Sequence, residues 1–183
     1  MPKTEQEKRE NKIVALEWKL KECTYHGKYR KAGKGVAVFA QRLARIKTAD
    51  EEGFVKCVTC GKFRHYKDRM NGGHFIDAKH YNTIIDPMNI WPQCAYCNDH
   101  LKGNLTPYRS FLGFHIGLEE VRRLDGLEKA PHVRPSTRQL AEIKYDIMQE
   151  IKRHEKRIKH YEPPEEPSMW LGDYLERGNE PEF

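Results

Sequence analysis

Four cysteines are the residues whose spacing points most directly to chemistry. Cys57-Val58-Thr59-Cys60 and Cys94-Ala95-Tyr96-Cys97 are two Cys-x-x-Cys pairs with 33 residues between them. A tight two-residue knuckle lets two thiolates converge on one ion while backbone N–H groups point at the sulfurs. In a cytosolic chain two such pairs read as one tetrahedral zinc with four cysteine ligands rather than as disulfides. With every position filled by cysteine the ion keeps no open site, so its expected role is folding and not catalysis. Gly61 follows the first knuckle, where a φ above zero is often required. Asn98 follows the second and is an N-cap residue type, so a helix is expected to start there. A knuckle on a hairpin with a knuckle at a helix start is the treble-clef arrangement. Cys23 is left over; with His26 it has the spacing of a half-site, but a lone thiol is the simpler reading.

Between the knuckles lie Asn71-Gly72-Gly73-His74-Phe75-Ile76-Asp77-Ala78-Lys79-His80, then Asp86-Pro87-Met88-Asn89, then Gln93. A histidine after a glycine pair, an asparagine midway and a polar residue after the last cysteine resemble the order of parts in the HNH, or ββα-metal, nucleases. There a hairpin histidine and a helix-start residue can hold one divalent ion between them. Phosphodiester hydrolysis needs a base for water, a cation for the developing charge and a way to stabilise the leaving oxygen. One histidine and one magnesium can supply all three.

The elements that must position these residues follow from pattern. Thr4 and Glu7 have capping-box spacing, and Ile13, Leu16 and Leu20 recur at helical intervals, which predicts a helix over 4–22. Residues 26–35, with three glycines among Lys28, Arg30, Lys31 and Lys34, read as a mobile basic linker. A second helix is expected over 36–47 and a short strand over 54–58. Thr106-Pro107 pairs an N-cap type with proline at a first helical position, so a helix should begin there, run through Phe111 and Phe114, and end at Gly117. One more short helix is expected over 118–124, before Asp125-Gly126. A long helix over 136–160 carries the apolar stripe Leu140, Ile143, Ile147, Ile151 and Ile158 with basic residues at its end; it reads as a packing or dimer helix before direct DNA contact. Pro163, Pro164 and Pro167 then break the helix.

The whole pattern resembles the NinG or Rap recombination proteins of lambda-like phages. The resemblance rests on Ala49-Asp50 to Gly53, Cys57 to Gly61, Gly73-His74, Asp86 with Asn89, Gln93-Cys94 with Cys97-Asn98, Gly103-Asn104 and Tyr108-Arg109, and it covers residues 36–124. The Cys-x-x-Cys-Asn ending is also similar to junction resolvases of the endonuclease VII type. This resemblance implies a structure-selective endonuclease of branched intermediates such as Holliday junctions and D-loops. Carried over, His74 is the general base, with a structural histidine on the zinc side as the alternative, and Asn98 is a ligand of a catalytic magnesium or manganese. Asn89 ties the loop down behind His74. An acid or histidine often precedes the base as a ligand, but Gly73 stands there, so a second ligand is sought in Asp77 or His80. Asp86 reads either as part of the motif or as a structural cap. For His80 and His100 a structural or DNA-contact role stands beside metal ligation. Lys79, Lys102, Arg109 and, in the linker, Lys31 and Lys34 would contact phosphates without reading sequence.

Charge fits such a partner and fits a surface of solvated lysines equally well. Lys and Arg number 33 against 27 acids, but residues 162–183 hold seven acids and one base, which leaves residues 1–161 at +12. The acidic tail, with Trp170, Tyr174 and Leu175, could dock on a partner or fold back on the basic face. No apolar run approaches the roughly 18 residues of a membrane span, and no signal peptide can be read in the charged first ten residues; the cytoplasm is the expected location. The expected architecture is α+β: a zinc-braced ββα core at 36–124, preceded by helix and linker at 1–35 and followed by a basic amphipathic helix at 125–161 and an acidic tail at 162–183. A homodimer through the terminal helices is expected, because two strands must be cut symmetrically. Two rivals stay open: a sequence-specific HNH nuclease of the restriction or homing type, and a non-catalytic zinc module that binds DNA.

Overall fold

The computed structural model describes residues 3–25, 35–133 and 135–159, with the backbone alone over 21–25. The basic linker with Lys31 and Lys34, the acidic tail, and the side chains of Cys23 and His26 lie outside these residues.

Three helices form one side of the molecule. Helix α1 (Glu5–Tyr25) starts at a reciprocal cap: Thr4 Oγ1 accepts from Glu7 N at 3.2 Å and Glu7 Oε2 accepts from Thr4 N at 2.7 Å. Helix α2 is Val36–Ile46 and helix α5 is Thr137–Arg157, the latter opened by a second capping box between Ser136 and Gln139. The apolar stripes predicted on α1 and α5 meet: Ile13 and Leu20 bury against Leu140 and Ala141, with Val36 of α2 beside them. Each such Leu or Ile contributes roughly 1.5–3 kcal/mol by leaving water. The stripe of α5 is thus covered within the chain. Arg42 of α2 also pairs with Glu155 of α5.

Two antiparallel hairpins carry the residues of interest. Strand β1 (Phe54–Lys56) pairs with β2 (Phe63–His65), and β3 (Met70–His74) pairs with β4 (Ile90–Cys94), in a register that sets Met70 opposite Cys94 and His74 opposite Ile90. Helix α2 lies on the second hairpin through its small residues, Ala40 and Ala44, which cluster with Ile90. The approach is closest at Gly72, where an added Cβ would stand 2.6 Å from the Gln41 Cα and carbonyl oxygen. Helices α3 (Leu105–His115) and α4 (Leu118–Lys129) bury Tyr108, Leu112, Val121 and Leu124 against Phe75, Ile76 and Trp91. No helix among the described residues is long and apolar enough to cross a membrane.

Several local expectations need correction. No helix starts at Asn98: the chain leaves β4 into a π-helical turn, Tyr96–His100, and Asn98 sits in its middle. The cap of α3 is Asn104, at φ 45°, and not Thr106, because the turn ends by left-handed residues at Lys102, Gly103 and Asn104. Helix α4 does not stop before Asp125-Gly126 but runs through both to Lys129, since burial of Val121 and Leu124 outweighs the roughly 1 kcal/mol that a glycine costs a helix. The first strand closes at Lys56, leaving Cys57 and Val58 to the knuckle.

Replacing Gly72 by alanine sets a methyl against the α2 backbone, which cannot swing aside as a side chain would. The expected loss is about 1–3 kcal/mol, read as a lower urea midpoint at unchanged m-value; an unchanged midpoint would show that α2 is not seated on β3 this closely.

Candidate metal centre and the adjoining cleft

The Cys57, Cys60, Cys94 and Cys97 sulfurs all lie within 4.8 Å of one another, so the four can hold a zinc ion. Their geometry comes from ordinary backbone chemistry. The first knuckle closes with Cys57 N donating to Lys62 O at 2.8 Å and Gly61 N to Cys57 O at 3.0 Å, with Gly61 at φ 74° as the sequence predicts. Val58 N donates to Pro92 O at 3.0 Å, which ties the knuckle to β4. Cys94 ends β4, and the π turn brings Cys97 back to it. Hydrogen bonds from the Cys60 and then the Cys94 thiol lower the Cys57 pKa. The hydrogen bond with Cys57 pushes Cys60 up to about 11 and raises Cys94 as well. Thiols that resist ionising together are what a dication relieves. Asn104 Nδ2 lies 3.9 Å from the Cys97 sulfur, a neutral donor to the cluster.

Beside this centre lies a cleft of about 920 Å³. His74, Asp77, Asn98 and Lys102, four of the residues singled out from sequence, line it together. The His74 Nε2 stands 3.0 Å from the Ile84 carbonyl oxygen. A carbonyl can only accept, so Nε2 carries the proton and Nδ1 the lone pair in the neutral ring. Asn89 is fully buried behind the cleft: its Oδ1 accepts from Ile76 N at 2.7 Å and its Nδ2 donates to the Ile76 and Thr83 carbonyls, each at 3.0 Å. Its carbonyl also accepts from Phe75 N. Asn89 therefore ties down the loop behind His74 without lining the cleft.

The remaining predicted residues stand elsewhere. His80 turns to Glu128, with Nε2 3.6 Å from Oε1, and does not line the cleft. Asp77 does, while its Oδ1 accepts from Lys79 N at 2.8 Å. Lys79 is exposed beside it. Arg109 is committed within the chain: its two guanidinium nitrogens meet the two Asp125 oxygens at 2.8 and 2.9 Å, which lowers the Asp125 pKa and raises that of Arg109. Asp86 accepts from Met88 N in its own turn and pairs with Arg123, and it does not line the cleft. His100 lies next to Tyr96, ring centroids 5.7 Å apart.

Sequence reasoning missed several residues of this region. Asp99 lines the cleft, accepting from Asn98 Nδ2 at 2.6 Å and from Asn71 Nδ2 at 3.3 Å. Its position beside Asn98 was the available signal. Arg45 reaches the cleft wall from α2, its guanidinium held by the Tyr66 and Met70 carbonyls; burial lowers its pKa, yet it stays charged. Gly73 has a reason to lack a side chain: a Cβ would lie 2.1 Å from Gln93 Oε1 and 3.0 Å from Asn98 Oδ1. Gln93 is fully buried, its Nε2 donating to Gly103 O at 2.6 Å, and its Oε1 has no hydrogen-bond partner among the described residues. Buried Tyr108, whose pKa burial pushes up, accepts from Trp91 N at 3.0 Å and donates to Gly73 O at 2.8 Å, which fixes the strand immediately before His74.

The model of the family described as Bacteriophage Lambda NinG protein matches residues 2–157. The chain belongs to this family. Among NinG relatives, the ninG protein of Salmonella phage P22 is 29% identical over 120 residues, covering 62% of this chain and 54% of that protein. That of Escherichia phage lambda is 30% identical over 93 residues, 47% of this chain and 42% of the relative. That of Enterobacteria phage H19B is 43% identical over 56 residues, 27% of this chain and 28% of the relative. The chain spans about half the length of the curated relatives that it matches. No solved structure matches it.

For this NinG chain we expect one zinc per molecule by elemental analysis, and thiolate-to-metal charge-transfer absorption when cobalt replaces it. Apparent affinities of structural zinc sites, about 10–16 kcal/mol, are as large as the stability of a whole domain. A Cys57→Ser variant should therefore lose the metal and lose cooperative melting of the hairpins; melting unchanged by the variant would mean that the cysteines do not brace the fold.

Proposed function

We propose that this chain is a metal-dependent endonuclease with an HNH, or ββα-metal, core over 36–124, acting on branched DNA such as Holliday junctions and D-loops. The observation that carries this reading is the meeting of His74 and Asn98 with the carboxylates of Asp77 and Asp99 in one cleft next to the cysteine cluster. The β3–β4 hairpin followed by the turn that bears Asn98 corresponds to the ββα arrangement, with the π turn in place of the helix start. Flanking helices and the acidic tail would be additions to that core, and a homodimer would give symmetric cuts in two strands. The host cytoplasm is where such a substrate lies.

The oxygen donors of the cleft fit a hard divalent cation. Asn98 Oδ1 and the orphaned Gln93 Oε1 both face the bare Cα of Gly73, and the Asp99 carboxylate adjoins Asn98. Magnesium is content with one or two carboxylates and keeps several waters, so the lack of a second group of three His, Cys, Asp or Glu among the described residues is no obstacle. Asn98 and Asp99 would hold magnesium or manganese, in preference to the turned-away His80. When bound, the ion supplies charge for the phosphorane and the leaving oxygen.

The chain's own residues do the rest. Ile84 O holds the proton on His74 Nε2, so Nδ1 is the atom that takes a proton from the attacking water. Asn89 and Tyr108 keep the His74 backbone from shifting. Arg45 and Lys102 meet the phosphate only once a divalent ion offsets the Asp77, Asp99 and Glu128 carboxylates that line the same cleft. Attack opposite the 3′ oxygen leaves a 5′-phosphate and a 3′-hydroxyl.

The test is cleavage of a labelled four-way junction and a matched linear duplex in magnesium or manganese. Wild type should cut the junction in preference, and a zinc-loaded His74→Ala variant should bind it but cut about 10²–10⁴-fold more slowly. Equal cutting of both substrates at defined sequences would favour a restriction-type or homing-type nuclease. Binding with no cleavage in either metal would reduce the chain to a zinc-stabilised DNA-binding module.

A further inference from the structure

A second cavity, about 700 Å³, opens beside the cleft between α3 and α4. Phe75, Leu105 and Glu128 line both, so the two are continuous. Its surface differs in kind. Leu105, Phe114 and Leu118 stand exposed along it, and Phe114 is 95% exposed although Tyr108 and Leu112 of the same helix are fully buried. Arg109 forms part of the wall, but its charge is neutralised by Asp125 and its guanidinium lies 4.9 Å from the Phe75 ring centre. What Arg109 offers an occupant is a fixed planar face rather than a free cation.

We propose that this groove seats one unstacked nucleobase of the nucleotide adjoining the cleaved phosphate, and so supplies the preference for branched DNA; this rests on the nuclease reading of the cleft. The occupant must be continuous with a phosphate in the cleft, yet apolar and π-faced itself, because Phe114, Leu118 and the paired Arg109 give no charge for a second phosphate and Glu128 repels one. A nucleobase meets these conditions, and the Thr106 and Ser110 hydroxyls on the same wall can reach its edges. In an intact duplex both faces of every base are already stacked. Only a nucleotide at a branch, nick or unpaired stretch can enter without the cost of unstacking, a few kcal/mol. The groove thereby turns a structural defect in DNA into binding energy, while carrying no sequence code, since every base has a π-face.

The test uses the full zinc-loaded chain carrying His74→Ala, and a four-way junction with 2-aminopurine at the nucleotide next to the branch. Binding should quench the probe, and adding Phe114→Ala should abolish the quenching. Base stacking is worth about 1–3 kcal/mol, so with His74 intact the Phe114→Ala variant should lose roughly tenfold in its junction-over-duplex cleavage ratio. Cleavage of the junction by wild type with no Phe114-dependent quenching overturns the groove and leaves the nuclease. Quenching that depends on Phe114 with no cleavage in either metal does the reverse. If Phe114→Ala instead converts a dimer to a monomer by sedimentation and leaves the quenching intact, the groove is a contact between two copies and the proposal falls.

Discussion

The convergence of four sulfurs within 4.8 Å is the constraint on which the rest of this molecule depends. Among the described residues each sheet has two strands, and an isolated two-stranded hairpin is marginal in water. The cluster joins them: one knuckle belongs to the β1–β2 hairpin, the other is the end of β4 and the turn beyond it. Because Met70 pairs with Cys94, the same cluster fixes where β3 begins, and His74 stands four residues along that strand. Asn98 follows Cys97 directly. The two residues central to the proposed chemistry are thus held to the metal centre by one strand on one side and one peptide bond on the other. An ion with no open position, held by these cysteines, would in this way set the geometry of the adjoining cleft without entering it.

The second determinant is how closely backbone approaches backbone at the glycine pair. Gly72 lets the α2 backbone lie on β3, and Gly73 lets Gln93 and Asn98 crowd the strand from the other direction. A side chain in the place of Gly73 would collide with Gln93 Oε1, and the carboxylate that Asn98 Nδ2 meets beside this gap is that of Asp99. Tyr108 completes the arrangement by bridging Trp91 N and Gly73 O, in a place where a plain ladder bond would leave the strand free to slide.

How much of this was legible beforehand depended on the range of the interaction that decides each feature. The capping boxes, the apolar stripes of α1 and α5 and the knuckle with Gly61 at positive φ follow from local spacing, and the structure has them. The π turn at Tyr96–His100 has no local signature: it is imposed by the need to return Cys97 to the cluster, and it overrides the N-cap preference of Asn98. The run of α4 through Asp125-Gly126 is decided by tertiary burial and by the Arg109–Asp125 pair, neither visible along the chain. Phe114 is the opposite case. The sequence places it with Phe111 on one helix, and only the packed structure reveals that Phe114 is left in water.

Charge is where counting residues misleads most. The excess of bases over acids suggests a surface that grips phosphate wherever it meets it. Yet Arg109 is tied to Asp125, Arg123 to Asp86 and Glu120, and Arg138 to Glu10 and Glu142. Exposed pairs of this kind add little stability, but each removes an arginine from the pool that can meet DNA. The cleft itself opposes Asp77, Asp99 and Glu128 to Arg45 and Lys102, which is no phosphate trap by itself. A phosphodiester gains from such a site only when a divalent cation reverses the sign of the carboxylates, and then only if the strand can bend far enough to reach it. Metal dependence and preference for distorted DNA would accordingly have one origin: a cleft too acidic for an unassisted phosphate, flanked by a groove too apolar for anything but a base.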